Sequence, residues 1–317
     1  MASHQVGGTN AALTSSLWNA KRLCASPTAC FPLKVQDENE RKMIEASGSF
    51  ALPHEKDDAS RRGRCPSELV LAVSNRPLPE TNLLRRSAAA LGVPLGTPHL
   101  PRGSQALRRG VYARTLSNLE ACPNTALLLV DGFDTFLRCN ASEIGRRVRA
   151  FGTGAVVVSG ERLYSFQPAA ERPQWDAMAE RGSKYRYVNG GGIGGTQAAL
   201  MGFMRAAALR GPPPFSSRYG MRSAISDQGP VAETVFRDHT QGARGGAAPS
   251  SSGGGGLGSR LDYETGLFYT VSGPDAAHPP TARARIAKAD PCLVHVPNGH
   301  FRTLLRALWN ETGPVRR

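Results

Sequence analysis

Ala126-Leu-Leu-Leu-Val130-Asp131-Gly-Phe-Asp134 is the stretch whose reading decides the fold. A short apolar run ending directly on an aspartate suits a strand buried on both faces of a parallel sheet. Asp131 then stands at the strand's carboxyl end, the edge where open α/β sheets hold their ligands. Gly132 permits a sharp turn, and Asp134 can swing back beside Asp131. Two converging carboxylates repel each other unless a cation lies between them, and a hard divalent ion carrying a diphosphate suits such a pair. A strand end with one helix-capping and one solvated aspartate is the other reading of the same residues.

Working outward, the neighbouring segments alternate strand and helix. Upstream, Glu68-Leu-Val-Leu-Ala-Val-Ser74 has a buried-strand pattern that stops at Asn75-Arg-Pro77. A helix is expected over Glu80 to Leu91, closed by Gly92 at its C′ position, and a second around Val111 to Glu120. Downstream, Asn140 can cap a helix running from Ser142 to Phe151, whose Ile144, Val148 and Phe151 share one face. Ala155-Val-Val-Val-Ser159 is the next strand and ends at Gly160-Glu161, followed by a polar insertion carrying Trp175. Tyr185-Arg-Tyr-Val188 leads into Asn189-Gly-Gly-Gly-Ile-Gly-Gly195, and a helix follows from Thr196 to about Leu209, stopped by Pro212-Pro-Pro214. Ser226-Asp227-Gln228 opens a segment reaching Phe236. Strand-like stretches over 261–268 and 291–296 and a last helix from Phe301 to about Asn310 complete the chain.

This βα wiring predicts a single α/β domain over residues 67–312, with a mostly parallel central sheet flanked by helices. Residues 1–66 are polar and aperiodic and are expected to be a poorly ordered leader. Residues 239–259, which include Ser250-Ser-Ser-Gly-Gly-Gly-Gly256, are expected to form a flexible loop, and 313–317 a tail.

The formal charge of +14 invites a nucleic-acid reading. Of the 39 basic residues only six are lysine, however, no block of five occurs, and aromatics make up 7 %. That pattern suits an anionic small ligand better than a nucleic acid, and no nucleic-acid partner is expected. No run approaches the length of a membrane span. Met1-Ala-Ser-His-Gln-Val-Gly-Gly8 lacks the layout of a signal peptide, which fits a cytosolic protein or a start lying further upstream. Six cysteines without a Cys-x-x-Cys pair read as scattered structural thiols, with one or two disulfides open to a secretory protein.

The glycine run after Asn189 contains cheap matches to a dinucleotide fingerprint, but such a fingerprint should close the first βα turn of its domain. Two readings remain: a backbone that a flat or bulky ligand must approach closely, or a flexible loop.

The order of features is informative: Asp-x-x-Asp, a strand ending Ser-x-Glu, Asn189 with its glycines, Asp227-Gln228, Leu261-Asp-Tyr263, and Val294-His295 near Asn298-Gly299. In this order the chain resembles the glycosyltransferase domain of the procollagen lysyl hydroxylase family, a GT-A-type domain that uses UDP-sugars. The resemblance covers about residues 67 to 305. It implies that Asp131, Asp134 and His295 bind Mn²⁺, which bridges the diphosphate of a UDP-sugar donor. It implies that Phe133 stacks on uracil, that Val73 and Ser74 contact the uridine, and that Asn189, Gly191 and Gly192 lie near the sugar. Asp227 with Gln228 takes the catalytic place, the aspartate facing the reacting sugar and acceptor; helix capping would suit that aspartate equally.

The acceptor implied is a protein or glycan hydroxyl, such as hydroxylysine or its glycoside in a collagen-like protein, and the compartment implied is the lumen of the endoplasmic reticulum or Golgi. The chain departs from the family in having Phe133 for a tyrosine and in the longer spacing of His295-Val-Pro-Asn298-Gly299. Two other functions compete. A haloacid-dehalogenase-type phosphatase also ends an apolar strand on an aspartate pair, but its carboxylates are two residues apart, not three. A non-catalytic basic binding module would not need Asp131, Asp134 or His295.

Overall fold

The computed structural model describes residues 22–24, 30–32, 65–98, 108–119, 122–164, 171–178, 182–209, 228–244, 258–297 and 302–313. Two short strands come first, β1 (Arg22–Cys24) and β2 (Cys30–Pro32), paired antiparallel with Cys24 opposite Cys30. The rest of the expected leader lies outside the described residues as far as Cys65. The body of the fold begins with β3 (Glu68–Val73), α1 (Leu83–Leu91), β4 (Leu95–Gly96), α2 (Arg108–Asn118) and β5 (Ala126–Asp131). It continues with β6 (Thr135–Leu137), α3 (Ala141–Ala150), β7 (Val156–Glu161), α4 (Arg172–Met178) and β8 (Tyr187–Thr196). Then come α5 (Gln197–Leu209), α6 (Gln228–Arg244), β9 (Ser259–Asp262), β10 (Phe268–Thr270), α7 (Pro274–Ala277), α8 (Pro279–Ala289), β11 (Leu293–His295) and α9 (Arg302–Thr312). Among the described residues no helix is long and apolar enough to cross a membrane.

Six strands form the central sheet in the order β4-β3-β5-β8-β7-β9. β3 is parallel to β4 and β5, and β7 is parallel to β9. β8 runs antiparallel to both β5 and β7, so the sheet is mixed. The reason lies in the connection. Tyr187 pairs with Glu161, so β8 starts at the same edge where β7 stops and needs no crossover back to the far edge.

Helices cover both faces, which is why β3 and β5 can be apolar without alternation. Leu69, Leu71, Leu127 and Leu129 face a cluster with Val111 and Leu116 of α2, Leu200 and Phe203 of α5, and Val235 of α6. Val70, Ala72, Leu128 and Val130 face Leu84 of α1 and Ile144 and Val148 of α3. Side chains of this size stabilise by about 1.5–3 kcal/mol each when fully buried. The caps fall where the sequence places them: Asn140 accepts from Glu143 N at 3.0 Å, and Gly92 closes α1 at φ 64°. The loop expected over 239–259 is shorter at both ends, because 239–244 continue α6 and Ser259 begins β9; residues 245–257 lie outside the described residues.

A second, three-stranded sheet has the order β10-β11-β6. β11 is antiparallel to β6, with Thr135 opposite His295 and Leu137 opposite Leu293. Just beyond that register, Cys139 and Cys292 form a disulfide. Arg138 and Arg147 both pair with Asp290, at 2.8 and 3.3 Å, fastening the same end. A second disulfide, Cys65–Cys122, ties the residues before β3 to those before β5. The cysteines expected as scattered thiols are therefore joined in these two cases by strand neighbours that sequence spacing does not reveal.

Replacing Cys139 and Cys292 together by alanine should lower stability by about 2–4 kcal/mol. Urea denaturation of the double variant checks this, and an unchanged midpoint would show that the β6–β11 pairing needs no fastening.

Candidate metal centre

β5 ends on Asp131 and β6 starts at Thr135, so Gly132-Phe133-Asp134 is a tight link at the carboxyl edge of the central sheet. Asn82 pins it. Its Nδ2 donates to Gly132 O at 2.7 Å, while its Oδ1 caps α1 by accepting from Arg85 N at 3.0 Å. Thr135 Oγ1 donates to Asp131 O, and Val296 N donates to Asp134 O at 2.8 Å. The second sheet thus delivers β11 to the same place, and His295 arrives opposite the link.

Asp131, Asp134 and His295 each offer a ligand atom, and these atoms lie within 4.8 Å of one another. His295 Nε2 is 3.4 Å from Asp131 Oδ2 and 3.6 Å from Asp134 Oδ2. These are ion-pair distances, and Nε2, although buried, makes no hydrogen bond. The imidazole is 2 % exposed, whereas the two carboxylates are partly open, at 21 % and 28 %.

The other ring nitrogen is fixed by its surroundings. Asn189 Oδ1 lies 3.0 Å from His295 Nδ1 and also accepts from Gly191 N at 2.9 Å. Asn189 Nδ2 donates to Glu161 Oε2 at 3.3 Å. A backbone N–H on one side and a carboxylate on the other leave no choice of amide orientation, so Nδ1 must carry the proton it donates. Nε2 is then the nitrogen turned towards the carboxylates. Two carboxylates plus one imidazole whose second nitrogen is hydrogen-bonded form a donor set that could hold a divalent cation accepting mixed nitrogen and oxygen ligands, such as Mn²⁺. With no cation, burial works against the imidazolium, but the charges of Asp134 and Asp131 outweigh it and raise the pKa of His295 from 6.5 to about 10.

The glycine run is not a flexible loop. It forms most of β8, and its register on β7 jumps from Val158–Ile193 to Ser159–Asn189, bulging Gly190, Gly191 and Gly192 out of the pairing. None of these glycines has a positive φ. They are needed for space: a Cβ on Gly191 would stand 2.2 Å from His295 Cε1, and one on Gly192 2.7 Å from the Phe268 ring. The flat groups that approach this backbone are the protein's own.

Val73 pairs directly with Asp131, with Ser74 next in the chain, and Phe133 is half-buried between the two aspartates. Asn189, 4 % exposed, spends its side chain on His295, Gly191 and Glu161. Gln228 donates to Glu161 Oε1 at 3.1 Å and to Val188 O at 2.8 Å, and accepts from Gly190 N at 3.2 Å. Asp227 lies outside the described residues. Glu161 holds the network behind His295 together, a role sequence reading did not give it, although its place at a strand's carboxyl end was a signal. Asp262 instead closes the β9–β10 turn, accepting from Gly266, Leu267 and Phe268 N at 3.0, 2.7 and 2.7 Å. In comparisons with known proteins, the chain matches no family model and no curated protein.

Gly191→Ala should displace the His295 ring and abolish stabilisation by Mn²⁺ while leaving the circular-dichroism spectrum intact; retained Mn²⁺ stabilisation would mean the ring is not a ligand. The pH dependence follows from His295. Its folded pKa is raised, so without a cation its contribution to stability is fully present below pH 6.5 and is lost as pH rises through about 10. A cation on Nε2 must displace that proton. Calorimetry between pH 6.5 and 8.5 should therefore show Mn²⁺ affinity rising by about tenfold per pH unit; a flat profile would remove Nε2 from the donor set.

Proposed function

We propose that the chain is a metal-dependent glycosyltransferase of the GT-A type, moving a hexose from a UDP-sugar to a hydroxyl acceptor. The observation that carries this reading is the meeting of Asp131, Asp134 and His295, from β5, the link after it and distant β11, at the carboxyl edge of the sheet. Among acceptors, the family resemblance favours hydroxylysine or its glycoside in a collagen-like protein. The two disulfides support a protein of an oxidising compartment.

The carboxylates of Asp131 and Asp134 and His295 Nε2 would hold Mn²⁺. When bound, the ion would supply positive charge against the diphosphate that leaves as the bond from its oxygen to the sugar's anomeric carbon breaks and the acceptor oxygen bonds to that carbon. Val73 and Ser74 orient the uridine, and Phe133 offers its ring to the base. Asn189, through His295 Nδ1, keeps the imidazole in the tautomer that presents Nε2. Gln228, tied to Glu161, Val188 and Gly190, fixes the start of α6. Asp227, the preceding residue in the chain, is the carboxylate that would orient or deprotonate the acceptor hydroxyl.

A thermal-shift panel of UDP-hexoses with and without Mn²⁺, on the native protein and on Asp131→Ala, tests the proposal. Ligand at a hundred times its Kd should stabilise the native protein by about 2.7 kcal/mol, only with Mn²⁺, and Asp131→Ala should lose the effect. Stabilisation by UDP that ignores both metal and mutation would dismiss the metal centre. No response to any nucleotide would favour a binding module.

A further inference from the structure

Phe133 lies between the two metal-ligand aspartates, and its ring packs against the apolar cluster beneath α1 and α3. Over that ring lies the guanidinium of Arg76, with Cζ 4.3 Å from the ring centroid. Arg76 belongs to the segment leaving β3, whose last residue pairs with Asp131. Ser74 Oγ fastens this segment by accepting from Arg76 N at 3.3 Å and donating to Arg76 O. Leu78, two residues further, packs so near the link that a Cβ on Gly132 would stand 3.0 Å from its Cδ2. The backbone of residues 74–78 is thus anchored against the aspartate link, while the Arg76 side chain reaches over it from an exposed position.

Arg76 makes no ion pair among the described residues, although Asp131 and Asp134 flank the ring it covers. A cation resting on a half-exposed aromatic ring is weakly held, so another planar group can take that face. A guanidinium also has the donor geometry for an oxyanion that a lone aromatic lacks.

We infer that Arg76 selects the ligand at this centre: its guanidinium yields the Phe133 face to a planar base and pairs instead with the negative charge that the base's own molecule carries. The ligand class is a nucleoside diphosphate, in which a flat ring and an anionic group are joined in one molecule, as Phe133 stands between the two aspartates in the chain. This inference rests on the nucleotide-sugar reading above and adds a discriminating residue to it. Arg76 has two states, one on the ring and one on the anion, and the anion holds it in the second.

Calorimetry with Mn²⁺ present, using UDP and uridine as probes on native protein, Arg76→Ala, Arg76→Lys and Phe133→Ala, tests this. Arg76→Ala should weaken UDP by about tenfold, the scale of one lost charge-assisted hydrogen bond. The same variant should bind uridine as well as the native protein or better, because the ring is uncovered. Arg76→Lys should recover most of the UDP affinity, and Phe133→Ala should weaken both probes. UDP binding that Arg76→Ala leaves unchanged, or an equal loss for UDP and uridine, would overturn the role of Arg76 and leave the glycosyltransferase reading standing. Failure of the native protein to bind UDP would overturn that reading, and this inference with it.

Discussion

A buried imidazole can face two carboxylates with one nitrogen only if its other nitrogen is satisfied, and the contact between His295 Nδ1 and Asn189 Oδ1 meets that condition. Leaving a buried polar atom unpaired costs about 1–3 kcal/mol, so the ring would otherwise rotate or leave. Asn189 can do this because it is itself held, by Gly191 N on one side and Glu161 on the other. That hold requires β8 to bulge away from β7, and the bulge must be glycine because the His295 and Phe268 rings descend onto it. A glycine-rich strand loses backbone entropy on folding and packs little of its own surface. Here that cost is offset by admitting two aromatic side chains from the neighbouring sheet.

Four aspartates of this fold illustrate two uses of the same group. Asp275, fully buried, takes Arg162 at 2.6 Å, Arg285 at 3.2 Å and the hydroxyls of Tyr185 and Tyr269 at 3.0 and 3.1 Å. Asp262 takes three backbone N–H groups. Both are saturated by hydrogen bonds and serve to hold loops. Asp131 and Asp134 instead face an imidazole nitrogen at ion-pair distance from the partly open edge of the sheet, an arrangement that could hold a cation. Their rigidity comes from elsewhere: Asn82 on Gly132 O, Val296 N on Asp134 O, and the Cys139–Cys292 bridge at the far end of the same strand pair.

Much of this was legible because it is local. The buried pattern of Glu68 to Val73, the Asn140 cap and the Gly92 terminator are written in consecutive residues, and each element formed within a few positions of its expected bounds. The glycine run was not legible in the same way. Glycine reports that something comes close, but not what, and the neighbours that decide it, His295 and Phe268, are far away in sequence. The mixed character of the sheet was hidden for a related reason: β8 looks like any strand, and only its start opposite the end of β7 sets its direction.

By itself the sequence determined the apolar strand, the aspartate that ends it, the turn that returns a second aspartate, and the caps of the adjoining helices, since all of these depend on neighbours a few residues apart. Only the tertiary structure decided which nitrogen of His295 faces the aspartate pair, why Asn189 is followed by glycines, and how two pairs of cysteines are joined. Each of those depends on the register between strands separated by many residues. Register is set by the packing of both sheet faces and the second sheet against the first, which no local periodicity encodes.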